Sequence, residues 1–125
     1  MRLAFPIAAA VLAPHAALAQ DMVLVQHVSN VSLARAGGAV LVMAGGTVPI
    51  AGFTNPALRP RPDLVKVAGG YVLDFVATPP PRGTIVAQVE TRIAVMFRVE
   101  PEQAEKIRFV QVRGALGSRT VRVTK

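Results

Sequence analysis

From Thr84 to Val99 the chain alternates. Ile85, Ala87, Val89, Thr91, Ile93, Val95, Phe97 and Val99 fall on odd positions, and Gln88, Glu90, Arg92 and Arg98 on even ones. A period of two held over that span predicts strand and argues against helix, whose apolar positions recur every three to four residues. The odd positions are expected to face a core. One strand of this length is unusual, so the pattern also predicts a bend or bulge near Thr91 that passes the chain to a second sheet or barrel wall.

The same patterning divides the rest of the chain. Met22 to Val28 reads as a first strand, and Val31 to Arg35 as its continuation or a second one. Ala39 to Ala44 is almost wholly apolar, which places it near the middle of a sheet. Leu64 to Val67 and Tyr71 to Val76 flank Ala68-Gly69-Gly70 and predict a hairpin, because glycine supplies the positive φ of a tight turn. In its second strand Tyr71, Leu73 and Phe75 share a face, opposite Val72, Asp74 and Val76, and the aromatic face is expected in the core. Pro101 to Glu105 is a polar turn. Lys106 to Arg113 and Arg119 to Thr124 read as two closing strands around Gly114 to Ser118. Ala-Gly-Gly starts at Ala36, Ala44 and Ala68, but unequal spacing marks independent turns and no repeat array. The fold class predicted is all-β, a small antiparallel β-sandwich or partly open barrel.

Residues 1–19 do not belong to that pattern. Arg2, the apolar run Leu3 to Leu12 and the small-x-small triplet Ala17-Leu18-Ala19 form the three parts of a cleaved signal peptide. The apolar stretch of the N-terminus is interrupted by Pro6, Pro14 and His15 and is short for a membrane span. The expectation is a single β-domain over 20–125, periplasmic or secreted, with no span. The chain has no Cys, so this domain must be held by its apolar core without disulfides.

Charge adds a candidate surface. The net charge is +7, and beyond Glu105 the chain carries Lys106, Arg108, Arg113, Arg119, Arg122 and Lys125 with no acidic residue. Arg108, Arg113, Arg119 and Arg122 are therefore candidates for a basic face that meets anionic lipid, polysaccharide or an acidic protein, or that simply aids solubility. Export and the scatter of the few aromatic residues argue against nucleic acid.

Catalytic chemistry finds little support. Past the leader His27 is the only histidine; Ser29 lies two residues away and Asp21 or Asp74 could complete a triad, but no nucleophile-elbow sequence surrounds any serine. His27 with Met22, Met43 and Met96 has the donor types of a copper site, yet isolated methionines in β-segments are ordinary core filler. Glu100, Glu102 and Glu105 form a polar turn beside Lys106. No glycine-rich loop joins a strand to a helix with a phosphate-binding lysine. The sequence predicts no enzyme, no metal and no cofactor.

Gly45 to Asp63 reads as a long loop, and loops of that length within a small domain are often functional. Pro49, Pro56, Pro60 and Pro62 stiffen it around Pro49-Ile50-Ala51-Gly52-Phe53, and Asn55 follows. Either Phe53 is presented to a partner at low entropy cost, or Ile50 and Phe53 fold back to cap the core. A second stiff loop, Ala77 to Gly83, ends at Arg82. Pro49-Ile50-Ala51-Gly52-Phe53 resembles the Pro-x-x-Gly-aromatic loop of the small β-domain of protease-complex subunits of the PrcB type. Pro81-Arg82-Gly83 with the downstream Gln88 is similar to the Pro-x-Gly and Gln of that domain's later hairpin. Chagasin-type inhibitors of cysteine proteases share the first loop pattern, and Val67-Ala68-Gly69-Gly70 partly resembles their second. This chain has no Asn before Pro49, has Ile50-Ala51 for their two threonines, and lacks the Trp of their third loop. The resemblance implies protein binding, with a protease or its complex as one class of envelope partner. The binding residues expected are Pro49, Ile50, Gly52, Phe53, Asn55 and Arg82. The alternative is a structural or surface-associated protein that contacts anionic lipid or polysaccharide through its basic C-terminal strands. The oligomeric state stays open.

Overall fold

Two consecutive glycines set the first hairpin. Gly37 and Gly38 both have positive φ, 59° and 92°, the combination that a two-residue turn matched to the twist of its strands requires. They join β2 (His27–Ala36) to β3 (Ala39–Val48), with a bulge between Val28 and Asn30. The computed structural model describes residues 21–123; the leader expected at 1–19 and its cleavage point lie outside the described residues.

The other elements are β1 (Val23–Leu24), β4 (Thr54–Pro60), β5 (Gly70–Thr78), β6 (Thr91–Val99), β7 (Phe109–Arg113) and β8 (Ser118–Arg122). A 3-10 turn at Pro62–Leu64 and a single helical turn at Pro101–Ala104 complete them. β2, β3 and β6 form one antiparallel sheet with β3 in the middle, as its apolar run predicts. In the five-stranded sheet β5 is central: β4 lies along one edge, and β7 and then β1 along the other, with β8 beyond β7. The chain is thus an all-β, two-sheet domain. One pair departs from the antiparallel expectation. β7 runs parallel to β5, because the chain leaves β5, crosses to the other sheet as β6 and returns through the helical turn, the long crossover that a parallel pair needs.

The core lies between the sheets. Val40, Val42, Ala44 and Val48 of β3, Leu73 and Phe75 of β5, Val110 and Val112 of β7 and Val99 of β6 are all buried in it. Tyr71 is only half-buried, and its ring lies 6.4 Å from that of Phe97 across the gap. Val72, Asp74 and Val76, on the opposite face of β5, are buried as well, so β5 is covered on both sides.

Three expectations are corrected. Leu64 to Val67 is no strand; β5 pairs instead with β4, whose Pro56 and Pro60 suit an edge position. The long loop from Gly45 shrinks to Pro49–Phe53, because β3 runs to Val48 and β4 starts at Thr54. Only Thr91–Val99 of the alternating stretch is strand: residues 84–90 stand outside both sheets, with Ile85 99% and Val89 50% exposed.

Candidate functional site

Shortening the first loop gives it a firm base. Phe53 is half-buried and packs against the core, and Ile50 is also half-buried, while Pro49, Gly52 and Asn55 are exposed. The loop turns at Gly52, whose φ is +98°, a conformation that side chains disfavour. Asn55 takes φ 53° within the irregular stretch where β4 meets β5 between Thr54 and Ala57; its short polar side chain makes it one of the few residues that tolerate that region. The ring of Phe53 packs against the core from a half-buried position, and beside it the loop offers outward its backbone and the rim around Gly52.

The fold brings the second loop to the first. Ala51 N–H donates to Ala87 O at 3.0 Å. A Cβ at Gly52 would stand 2.9 Å from Val86 Cγ1 and 3.1 Å from Pro80 Cβ, so glycine is what lets the two loops touch. Three consecutive prolines, Pro79 to Pro81, lead into a turn closed by Thr84 N–H to Pro81 O at 3.1 Å, with Arg82 and Gly83 exposed at its tip. Ile85 follows, wholly exposed. An isolated β-branched side chain in water gains nothing for the fold, and it stands beside two proline-stiffened segments.

Pro49, Gly52, Arg82 and Ile85 thus belong to one end of the molecule. Sequence reasoning put Ile85 on the core face and so missed it as a candidate; the signal was the Pro-Pro-Pro-Arg-Gly turn just before it, which redirects the chain while the alternation continues unchanged.

The four basic candidates part company. Arg113 Nη1 donates to Asp74 Oδ1 at 2.9 Å, and Arg61 Nη1 to Asp74 Oδ2 at 2.8 Å, so a carboxylate buried on the outer face of β5 is held by two guanidinium groups. Arg61 also grips Asp63, with Nε to Oδ1 at 3.0 Å and Nη2 to Oδ2 at 2.8 Å. These bonds hold the Asp63 carboxyl below the usual carboxylate range, and both carboxylates push the Arg61 guanidinium up. Arg119 donates from Nε to Val28 O at 3.1 Å across the seam between β8 and β2. Arg108 and Arg122, with Lys106, line one hollow, to which Glu105 also contributes.

Several residues of the chemical clusters considered from sequence are engaged elsewhere or lie apart. Ser29 Oγ donates to Gly45 O at 3.0 Å. Met43 and Met96 are cross-strand partners, but His27 is level with Thr47, about 13 Å further along the strand at the usual rise per residue. Glu100, Glu102 and Glu105 are exposed, and Arg98 pairs with Glu100 at 3.3 Å. Among the described residues no three His, Cys, Asp or Glu side chains group so as to hold a metal ion, and no helix is long and apolar enough to cross a membrane.

No family model, curated protein or solved structure matches this chain.

Proposed function

We infer that the chain is a non-catalytic, exported protein-binding domain, and that it engages an envelope protein through the end formed by Pro49–Phe53 and Pro79–Ile85. The observation that carries this reading is the contact of the two loops, through Ala51 N–H to Ala87 O and Gly52 against Val86 and Pro80. Two stiff segments fixed to each other lose little freedom on binding, and beside them Ile85 and Arg82 offer an apolar anchor and a charge. The resemblance to PrcB-type domains rests on these same loops and favours a protease or its complex as the partner.

A second reading keeps the basic hollow of Lys106, Arg108 and Arg122 as a site for anionic lipid or polysaccharide. It is supported by the meeting of these three cations at one place. A crosslinked pull-down from envelope extract separates the two. Ile85→Asp combined with Arg82→Glu is expected to lose the captured set while Arg108→Glu with Arg122→Glu keeps it. The reverse ranking, with binding that fades steeply as salt is added, selects the basic hollow.

A further inference from the structure

Between Thr84 and Gln88 the chain shows no turn or bend. In an extended chain successive residues point their N–H and C=O groups to opposite sides. Ala87 uses the side facing the first loop, where its carbonyl accepts from Ala51. The N–H and C=O groups of Val86 and Gln88 have no hydrogen-bond partner among the described residues, and in an extended course they face the side away from the first loop. Natural sheets guard such an edge with proline, charge or a bulge, and Ile85 to Val89 contains neither a proline nor a charged residue.

We propose that this segment pairs antiparallel with the same segment of a second copy of the chain, about a two-fold axis at Ala87. The sequence complements itself in that register. Val86 of each copy lies opposite Gln88 of the other, and the free groups of both residues form four N–H···O bonds. Ile85 lies opposite Val89, which joins the two exposed apolar side chains of each copy into cross-strand pairs. Moving the axis to Val86 brings Thr84 into the ladder, whose N–H is already given to Pro81 O. Moving it to Gln88 runs the ladder through the bend at Val89. Only the axis at Ala87 uses all four free groups. A second copy fits better than an unrelated strand because both the polar and the apolar positions find their counterparts within the segment itself. The pairing does not depend on the protein-binding reading; in the dimer Ile85 is taken up by Val89 of the other copy, so a partner would be met by the two Pro49–Phe53 loops and Arg82, one set along each outer side of the paired segments, with a gain in avidity.

Sedimentation of the full protein from micromolar to millimolar concentration is expected to show a monomer–dimer equilibrium. Ile85→Lys removes both Ile85–Val89 pairs and is expected to raise the dissociation constant about tenfold or more. Leu116→Lys, at another exposed apolar residue, is expected to leave it unchanged. The chain has no cysteine, so Ala87→Cys supplies a clean reporter: two Ala87 residues facing each other as a non-hydrogen-bonded pair have Cα atoms about 4.5 Å apart, within reach of a disulfide. Ala87→Cys is expected to crosslink under mild oxidation much faster than Leu116→Cys. A protein that stays monomeric throughout, a dimer indifferent to Ile85→Lys, or equal crosslinking at the two cysteines overturns the proposal.

Discussion

Thr84 to Val89 and Thr91 to Val99 carry the same alternation and meet opposite fates. In β6 the odd positions Ile93, Val95 and Phe97 pack against the core and Val99 is buried, because β3 lies alongside from Val40 to Val48 and supplies the hydrogen bonds. Before Thr91 there is no such neighbour. β3 ends at Val48, level with Thr91, and the chain then turns into the Pro49–Phe53 loop, so the same pattern stands in water with Ile85 uncovered. Period two reports that a segment can be a strand. Burial depends on how far the partner strand runs.

The largest expected effect tests that contrast directly. Val99→Asp places an unpaired carboxylate at a position 1% exposed and is expected to cost roughly 4 kcal/mol or more, enough to unfold a marginal domain of this size. Val89→Asp is expected to change stability by no more than about 0.5 kcal/mol, as exposed substitutions do. Thermal melts of the two variants decide it, and equal destabilisation would mean that residues 84–89 are buried after all.

Phe53→Ala comes next. Its half-buried ring ties the loop end to the core, and the loss is expected to be about 2 kcal/mol, less than for a fully buried phenylalanine. If the ring serves the fold alone, the variant, held well below its melting temperature, still captures the wild-type partner set. A stable variant that loses its partners would return Phe53 to the binding surface.

Gly52→Ala should cost less, about 1.5 kcal/mol, because it combines a disfavoured φ with a close approach to Val86. Its diagnostic signature is local. Hydrogen exchange is expected to quicken at Ala51, whose N–H is held by Ala87 O, and to stay slow at Val95 and Phe97 in β6.

How far these features were legible follows from the range of the interactions. The Gly37-Gly38 turn, the central place of β3 and the β7–β8 hairpin rest on neighbours in sequence and were readable. The β4–β5 pairing was hidden because β4, with two prolines and an arginine in seven residues, looks like loop until an edge is available to it. The grip of Arg61 and Arg113 on Asp74 joins residues 13 and 39 positions apart, and no local pattern announces it. In the candidate site, the sequence showed both stiff loops but not that they touch, nor that Phe53 turns inward while Ile85 turns out.

The smallest effect expected is a pH dependence, and it falls on one side of the comparison only. Thr84 to Val89 contains no titratable side chain, whereas β4 and β5 are linked through Asp63, Arg61 and Asp74. Asp63 is held below its ordinary value of 3.8, chiefly by the hydrogen bonds from Arg61. A depressed carboxyl contributes stability that is fully present above the unfolded-state value and is lost as the pH falls through the folded-state one. The Arg61 guanidinium, pushed up by the same contacts, stays charged throughout and adds no slope. Acidification from neutral to below 3.8 is therefore expected to lower the melting temperature, and Asp63→Asn to make that fall slightly shallower, the change being small because the pair is exposed to solvent. Protection factors, which take out the slowing of intrinsic exchange in acid, should fall at the amides of β4 and β5 over the same interval, while any protection that the proposed dimer gives Val86 and Gln88, whose segment carries no titratable side chain, should stay level. A fall in protection confined to Val86 and Gln88 would place the acid-sensitive contact outside β4 and β5.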